Sequence, residues 1–390
     1  MENFVSQLPT KIIFGRGMEN NVGDEVARYS RKALLHFGGS SAEKSGLLGR
    51  VRASLKKAGV EWVELGGVKP NPVVSLIRAG VELCRTEKVG FILAVGGGSV
   101  IDSAKAIAIG FHYQGDVWDF YAGTAPNPEI ALPIGTVLTI PAAGSESSTG
   151  SVVTNEEGAL KRAVNADCII PRFSVLNPEL AFTLPANQVA NGVADIMAHL
   201  MERYFTNVAN VEFSDRLIEA TLRSVIAAAP RVMANKNDYD AWAEVMWAGC
   251  IAHNNLLDRG RVGDWASHDI EHELSGIYDI AHGAGLAVIF PAWMKYNLAH
   301  DRARFAQYAV RVWGVEADYF DLEAVAKEGI ARLEAFWKSM GLAVRLSGLN
   351  IGTERAAEMA RKCTDGDRHT TGQFVKLASA DIEKIYRLAE

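Results

Sequence analysis

The sequence predicts an α/β domain built on a parallel sheet, followed by an all-helical domain, with the change of character near residue 180. Three observations predict it. Short apolar runs alternate with helical patterns through the first half of the chain, as in α/β folds. From about Pro185 onward the pattern is helical and few stretches look like strands. The chain has 390 residues, enough for two domains with separate cores.

Taken in order, Lys32–Phe37 (KALLHF) reads as a strand ended by Gly38-Gly39. Ser45–Ala58 reads as a helix with Leu47, Leu48, Val51 and Leu55 on one face. Glu61–Leu65 is a second strand, stopped by the loop Lys69-Pro70-Asn71-Pro72, and Val73–Glu87 is a helix. Gly90–Val95 (GFILAV) is an almost unbroken apolar run bounded by glycine, which suits a parallel strand buried on both faces. Ile134–Ile140 is a further strand. In the second half, helices are expected over Gln188–Thr206, Ser214–Met233, Tyr239–Asn254, Asp264–Ser275, Gly283–Leu298, Asp301–Trp313, Glu323–Met340 and Thr353–Lys362. The expected domains are therefore 1–180 and 181–390.

Composition narrows the function. Hydrophobic residues make up 48% and charged residues 22%, the balance of a soluble globular protein. A net charge of -6 without a basic run argues against nucleic acid as a partner. No apolar stretch is long enough to span a bilayer, and the first residues lack the pattern of a secretory signal, so a cytoplasmic location is expected. Cys84, Cys168, Cys250 and Cys363 form no closely spaced pair and read as reduced thiols.

Two constellations carry chemistry. After the strand ending at Val95 comes Gly96-Gly97-Gly98-Ser99-Val100-Ile101-Asp102, then a helix. Glycines let the backbone approach a diphosphate, and the free N–H groups of the helix end hold it. Gly38-Gly39-Ser40-Ser41 is a second such turn; it lacks the carboxylate that an NAD site places there for the ribose hydroxyls, and so leaves room for a 2′-phosphate. In the helical half, Asp195 and His199 stand at i, i+4 in an apolar stretch, His268 and His272 repeat the spacing, and His282-Gly283 opens a further helix. That spacing stacks side chains on one helix face. A carboxylate with several imidazoles suits a divalent transition metal with an open coordination position. His36, His112, His253, His300 and His369 read as surface or structural residues, His253 being near enough to be a bystander of the site. His268-Asp269-Ile270-Glu271-His272 also matches H-x-x-E-H, the inverted zinc-protease motif, in which Glu271 is the base. That alternative leaves Asp195, His199, His282 and the glycine loop without a role.

Together, Lys69-Pro70-Asn71-Pro72, the Gly96–Asp102 loop, Gly192-Val193-Ala194-Asp195 with His199, and the His268, His272, His282 set resemble the iron-containing (group III) alcohol dehydrogenase family. The resemblance begins at Gln7-Leu8-Pro9-Thr10-Lys11-Ile12-Ile13-Phe14-Gly15 and runs over nearly the whole chain. It is strongest to NADPH-dependent butanol dehydrogenases and broad-range aldehyde reductases. It implies a dehydroquinate synthase-like fold, with an active site in the cleft between an α/β and a helical domain, and a homodimer. It implies metal ligation by Asp195, His199, His268 and His282, with Fe²⁺ ahead of Zn²⁺, and proton handling by His272. It further implies cofactor contacts from Gly38, Gly39, Ser40, Ser41, Asn71, Gly97, Gly98, Ser99, Asp102, Thr139 and Lys161, with NADP(H) preferred over NAD(H). Pro141-Ala142-Ala143-Gly144-Ser145-Glu146 departs from the family's threonine-rich turn, so the resemblance carries no contact there beyond Thr139. The implied substrates are small primary alcohols and aldehydes. Glu271 is expected to be a helix residue without a chemical role. Trp265, Phe290 and Trp293 are candidates for an apolar pocket or, more simply, for core packing.

Overall fold

Residues 1–390 are all described by a computed structural model, in which the chain forms two units. Gln7–Thr183 is one; Leu184–Glu390 together with Met1–Ser6 is the other.

The first unit carries eight strands: β1 (Lys11–Phe14), β2 (Lys32–Phe37), β3 (Glu61–Leu65), β4 (Phe91–Gly96), β5 (Ile134–Leu138), β6 (Gly150–Asn155), β7 (Leu160–Asn165) and β8 (Phe173–Leu176). Six form one parallel sheet in the order β1-β8-β5-β4-β2-β3, while β6 and β7 pair separately as an antiparallel hairpin. Every residue of β4 and β5 is buried, which is why those sequences are apolar on both faces. The helices α1 (Leu47–Lys57), α2 (Val74–Thr86) and α3 (Gly98–His112) accompany the sheet. Leu48, Val51 and Leu55 of α1 pack on Leu35, Leu93, Val95, Val137 and Val175 from the strands. A stacked pair, Phe91 on Phe173 at 5.7 Å, joins β4 to β8.

The structure differs from the sequence expectation at several ends. The helix expected over 45–58 begins only at Leu47, because Gly46 turns left-handed at φ 72° and separates it from the short turn Ser41–Lys44. The strand expected to reach Ile140 stops at Leu138, where Thr139 turns to donate its N–H to the Gly96 carbonyl (3.0 Å). The strands β1 and β8 and the β6–β7 hairpin had no counterpart in the sequence reading.

The second unit holds nine helices: α4 (Ala186–Tyr204), α5 (Glu212–Ala234), α6 (Tyr239–His253), α7 (Ala266–Tyr278), α8 (His282–Asn297), α9 (Arg302–Trp313), α10 (Leu322–Ser339), α11 (Ala356–Cys363) and α12 (Ser379–Leu388). The central helix is α4, buried along almost its whole length and packed against α5, α6 and α8. Phe205, Phe290, Trp293, Phe305 and Phe374 cluster with ring centroids 4.6–6.4 Å apart. Phe290 and Trp293 are thus core residues, not pocket walls. The N-terminal arm docks here too, with Glu2 donating its N–H to the Gly260 carbonyl at 3.0 Å. No helix is long and apolar enough to cross a membrane, and all four cysteines are free thiols.

Candidate functional site

In the α/β unit, the glycine-rich turns lie at the C-terminal ends of neighbouring strands. Gly38 and Gly39 follow β2, the Asn71 loop follows β3, Gly97 and Gly98 follow β4, and Thr139 follows β5. The carboxyl ends of strands are where open α/β sheets bind ligands. Gly97 is extended at the N-cap of α3, and no side chain caps that helix, so its first amides stay available to an anion. A Cβ on Gly97 would lie 2.9 Å from Ile140 Cβ, so the loop closes tightly only with glycine there. Gly39 is exposed and a Cβ there would meet nothing within 4 Å. Ser40 and Ser41 are exposed beside it, and Asn71 takes left-handed backbone (φ 54°). The Asn71 loop is tied to the hairpin by the Thr154 N–H donating to the Pro72 carbonyl at 2.8 Å. Opposite Thr154 in the hairpin register stands Lys161, which is buried.

Asp102 is turned inward: one carboxylate oxygen accepts from the Ser145 hydroxyl and the other from the Val152 N–H (3.0 Å). Below it Lys105 is fully buried, donating to the carbonyls of Ser148 (2.9 Å) and Gly150 (2.7 Å). Burial lowers the Lys105 ammonium to about 8 against the opposing pull of Asp102 and Glu146, and raises the Glu146 carboxyl to about 7. This polar layer clamps the hairpin to α3, and sequence reading missed it. The signal was a lysine within the otherwise apolar run Ala104–Phe111.

His36 is fully buried on β2 and bridges two elements. Its Nδ1 lies 2.8 Å from the Leu65 carbonyl, to which it donates, and its Nε2 is 2.9 Å from the Ser103 hydroxyl of α3. Burial lowers its pKa to about 4.

In the helical unit, Asp195 on α4, His268 on α7 and His282 on α8 each offer one ligand atom, all within 4.8 Å of one another. A close approach of backbones permits this: a Cβ on Gly283 would lie 2.6 Å from the Asn191 carbonyl carbon, so α8 begins directly against α4. His199 stands beside the trio, its ring 4.5 Å from that of His268. Its Nδ1 is 2.8 Å from the Asp195 carbonyl oxygen and 2.9 Å from a carboxylate oxygen of the same residue. Bonds at Nδ1 recur across the site. His268 Nδ1 donates to Glu202 Oε1 at 2.8 Å, and His282 Nδ1 contacts Glu271 Oε2. A neutral imidazole that donates from one nitrogen offers a lone pair on the other. His268 Nε2 is buried without a hydrogen-bond partner. Burial first, and then the neighbouring imidazoles of His199, His282, His272 and His253, hold His268 well below its ordinary pKa, so it is neutral and ligand-competent. Such an orphaned lone pair, next to a carboxylate and further imidazoles, fits a divalent cation.

His272, one turn after His268, is half-buried with its ring 5.5 Å from that of His282. It forms a second group with Glu271 and His282. Glu271, expected to be a helix residue without a chemical role, is fully buried and meets His282 Nδ1. His253 lies beside the site, in contact with one of its residues. Its ring stacks edge-on to His199 at 4.4 Å, its Nδ1 accepts from the Arg203 guanidinium (3.2 Å), and Arg203 lies over the Trp265 ring. Trp265 itself faces His199 and His268 at 5.8 and 5.3 Å. Sequence reading missed Glu202, which lies three residues beyond His199 on α4 and meets His268 from 66 residues away.

Comparison with known proteins decides the family. Residues 9–178 match the model of iron-containing alcohol dehydrogenase, and residues 189–389 match the C-terminal model of the same family. The chain belongs to the iron-containing alcohol dehydrogenase family. Among relatives of this iron-containing alcohol dehydrogenase, a probable NADH-dependent butanol dehydrogenase of Bacillus subtilis is 43% identical over 387 residues, covering 99% of each chain. The NADPH-dependent aldehyde reductase YqhD of Escherichia coli is 34% identical over 391 residues, covering 100% of each. The crystal structure of NADH-dependent butanol dehydrogenase A from Thermotoga maritima superposes with a TM-score of 0.95 at 40% identity, covering 100% of this chain and 99% of that one.

Proposed function

We propose that this iron-containing alcohol dehydrogenase interconverts small primary alcohols and aldehydes of the butanol–butyraldehyde kind, running mainly as an aldehyde reductase. The observation that carries the proposal is the buried, unpartnered His268 Nε2 facing the ligand atoms of Asp195 and His282. Asp195, His199, His268 and His282 would hold one divalent metal, Fe²⁺ ahead of Zn²⁺. When bound, that metal supplies a Lewis acid at the carbonyl oxygen, and the nicotinamide supplies or accepts the hydride.

The remaining work belongs to the chain's own residues. Gly97, Gly98 and Ser99 bind the diphosphate at the start of α3, and Asp102 with Ser145 and Val152 fixes the loop that holds it. Asn71, Thr139 and Lys161 add cofactor contacts from the loops and hairpin around it. His272 holds a proton on a ring nitrogen and delivers it as the alkoxide forms, a task suited to an imidazole.

For the cofactor, we favour NADP(H) over NAD(H): Gly38-Gly39-Ser40-Ser41 presents hydroxyls and open space where an NAD site presents a carboxylate. The names of several of the more similar relatives favour NADH, and kcat/KM with each cofactor decides between the two. A cytoplasmic homodimer completes the proposal, tested by fractionation and light scattering. The direct test of the activity is reduction of butyraldehyde and other short aldehydes by metal-loaded enzyme. Absence of turnover with either cofactor refutes it.

A further inference from the structure

Two buried carboxylates stand behind the ligating imidazoles without belonging to the ligand set. Glu202 on α4 is wholly buried, and its two oxygens take three N–H donors. Oε1 accepts from the His268 backbone (3.1 Å) and ring Nδ1 (2.8 Å), while Oε2 accepts from the Trp265 backbone (2.7 Å). Trp265, the N-cap of α7, offers no side-chain cap of its own, so Glu202 from another helix caps α7 and grips His268 with the same group. Glu271 on α7 is equally buried, and its Oε2 meets His282 Nδ1 on α8. The space for Glu271 is cut by a glycine. A Cβ on Gly285 would lie 2.7 Å from Glu271 Cγ and 2.9 Å from its Cδ. Gly285 is three residues after His282, on the same face of α8, so any side chain there would push the carboxylate off the imidazole it holds.

We infer that Glu202 and Glu271 are positioning residues that set the metal affinity of this site, and that Gly285 is the notch that seats Glu271. Each carboxylate takes the Nδ1 proton of one imidazole, which fixes the tautomer and the ring plane and turns the Nε2 lone pair to the ligand position. Each also accepts a hydrogen bond behind a nitrogen that must donate to a cation, making it more basic. The glutamate of the H-x-x-E-H stretch is thereby accounted for: it holds the imidazole of the next helix instead of activating water.

The inference rests on the metal assignment proposed above, and the test separates the two. Dissociation constants for Zn²⁺ and Fe²⁺ are measured on the full chain by competition with a chromophoric chelator, for wild type, E202Q, E271Q, G285A, G285A/E271Q and H282A. Replacing either carboxyl by an amide should weaken binding by about 10–100-fold. G285A should match E271Q, and the double variant should be no weaker than E271Q alone, because Gly285 acts only through Glu271. Wild-type affinity in E202Q and E271Q, alongside loss of metal in H282A, overturns the inference and leaves the metal assignment standing. Undiminished affinity in H282A overturns the assignment itself. Further weakening of E271Q by G285A overturns the notch. If E202Q does not fold, E271Q and G285A decide the matter alone.

Discussion

Acid should loosen the α/β unit of this enzyme through one histidine. His36 is buried with both ring nitrogens bonded, to Leu65 at the end of β3 and to Ser103 on α3. It therefore joins β2, β3 and the helix that follows the Gly96-Gly97-Gly98 turn, just ahead of the Gly38–Ser41 turn. Its folded pKa is lowered from 6.5 to about 4 by burial. Between those values the unfolded chain binds the proton and the folded chain does not, so stability is complete above 6.5 and falls as pH drops towards 4. At about 1.4 kcal/mol per pH unit, the interval amounts to about 3 kcal/mol. His36→Gln has no such titration. Its stability should be lower than wild type at pH 7.5, where the fit of the imidazole is lost. The gap should then close by about 3 kcal/mol as pH falls to 4. Urea denaturation of both proteins across that range, following the α/β unit, measures the gap while the other titrating groups cancel. A gap that stays constant with pH would refute the reasoning.

Three further outcomes are expected. His199→Ala or His282→Ala should remove bound metal and activity together, read by metal analysis and aldehyde turnover; full occupancy in both variants would sink the ligand assignment. His272→Ala should keep its metal but lose kcat by about 100-fold or more, with a changed pH profile of reduction. Metal loss in that variant contradicts the proton-handling role. Gly39→Asp should repel a 2′-phosphate and move the NADPH-to-NADH ratio of kcat/KM by about tenfold or more towards NADH; a wild type that already prefers NADH refutes the NADP(H) proposal.

The legible parts of the fold were those whose pattern is local. KALLHF and EWVEL stand in the sheet over the residues expected, because the first is a buried apolar run and the second, at the sheet edge, is a β-rich run, each with clear ends. KIIF and FSVL are only four residues long, and β1 is largely exposed, so neither gives a period to read. The hairpin mixes Lys161 and Arg162 into β7 and turns at Gly158 (φ 80°), which obscures its alternation. In the site, the i, i+4 spacing of Asp195 with His199 and of His268 with His272 drew attention to the right helices. The pairings of Glu202 with His268 and Glu271 with His282 are tertiary contacts between helices, and no spacing along one helix announces them. Glu271 was further disguised by a motif that offered it a different role.

The N-terminal arm has a consequence for the order in which the molecule is made. Met1 is made before any part of the Leu184–Glu390 segment, yet its amino group donates to the carbonyl of Ala209, 208 residues downstream, in the helical unit. Residues 7–183 are all synthesised before the first helix of that unit exists, and domains fold as units in the order they leave the ribosome. The arm must therefore wait, untethered, while the α/β unit assembles behind it. Its docking closes a long loop, from Met1 to Ala209, and collapse of the intervening residues beforehand spares most of the entropy that closing a flexible segment of that length demands. A segment made ahead of the whole α/β unit is thus among the last to find its place.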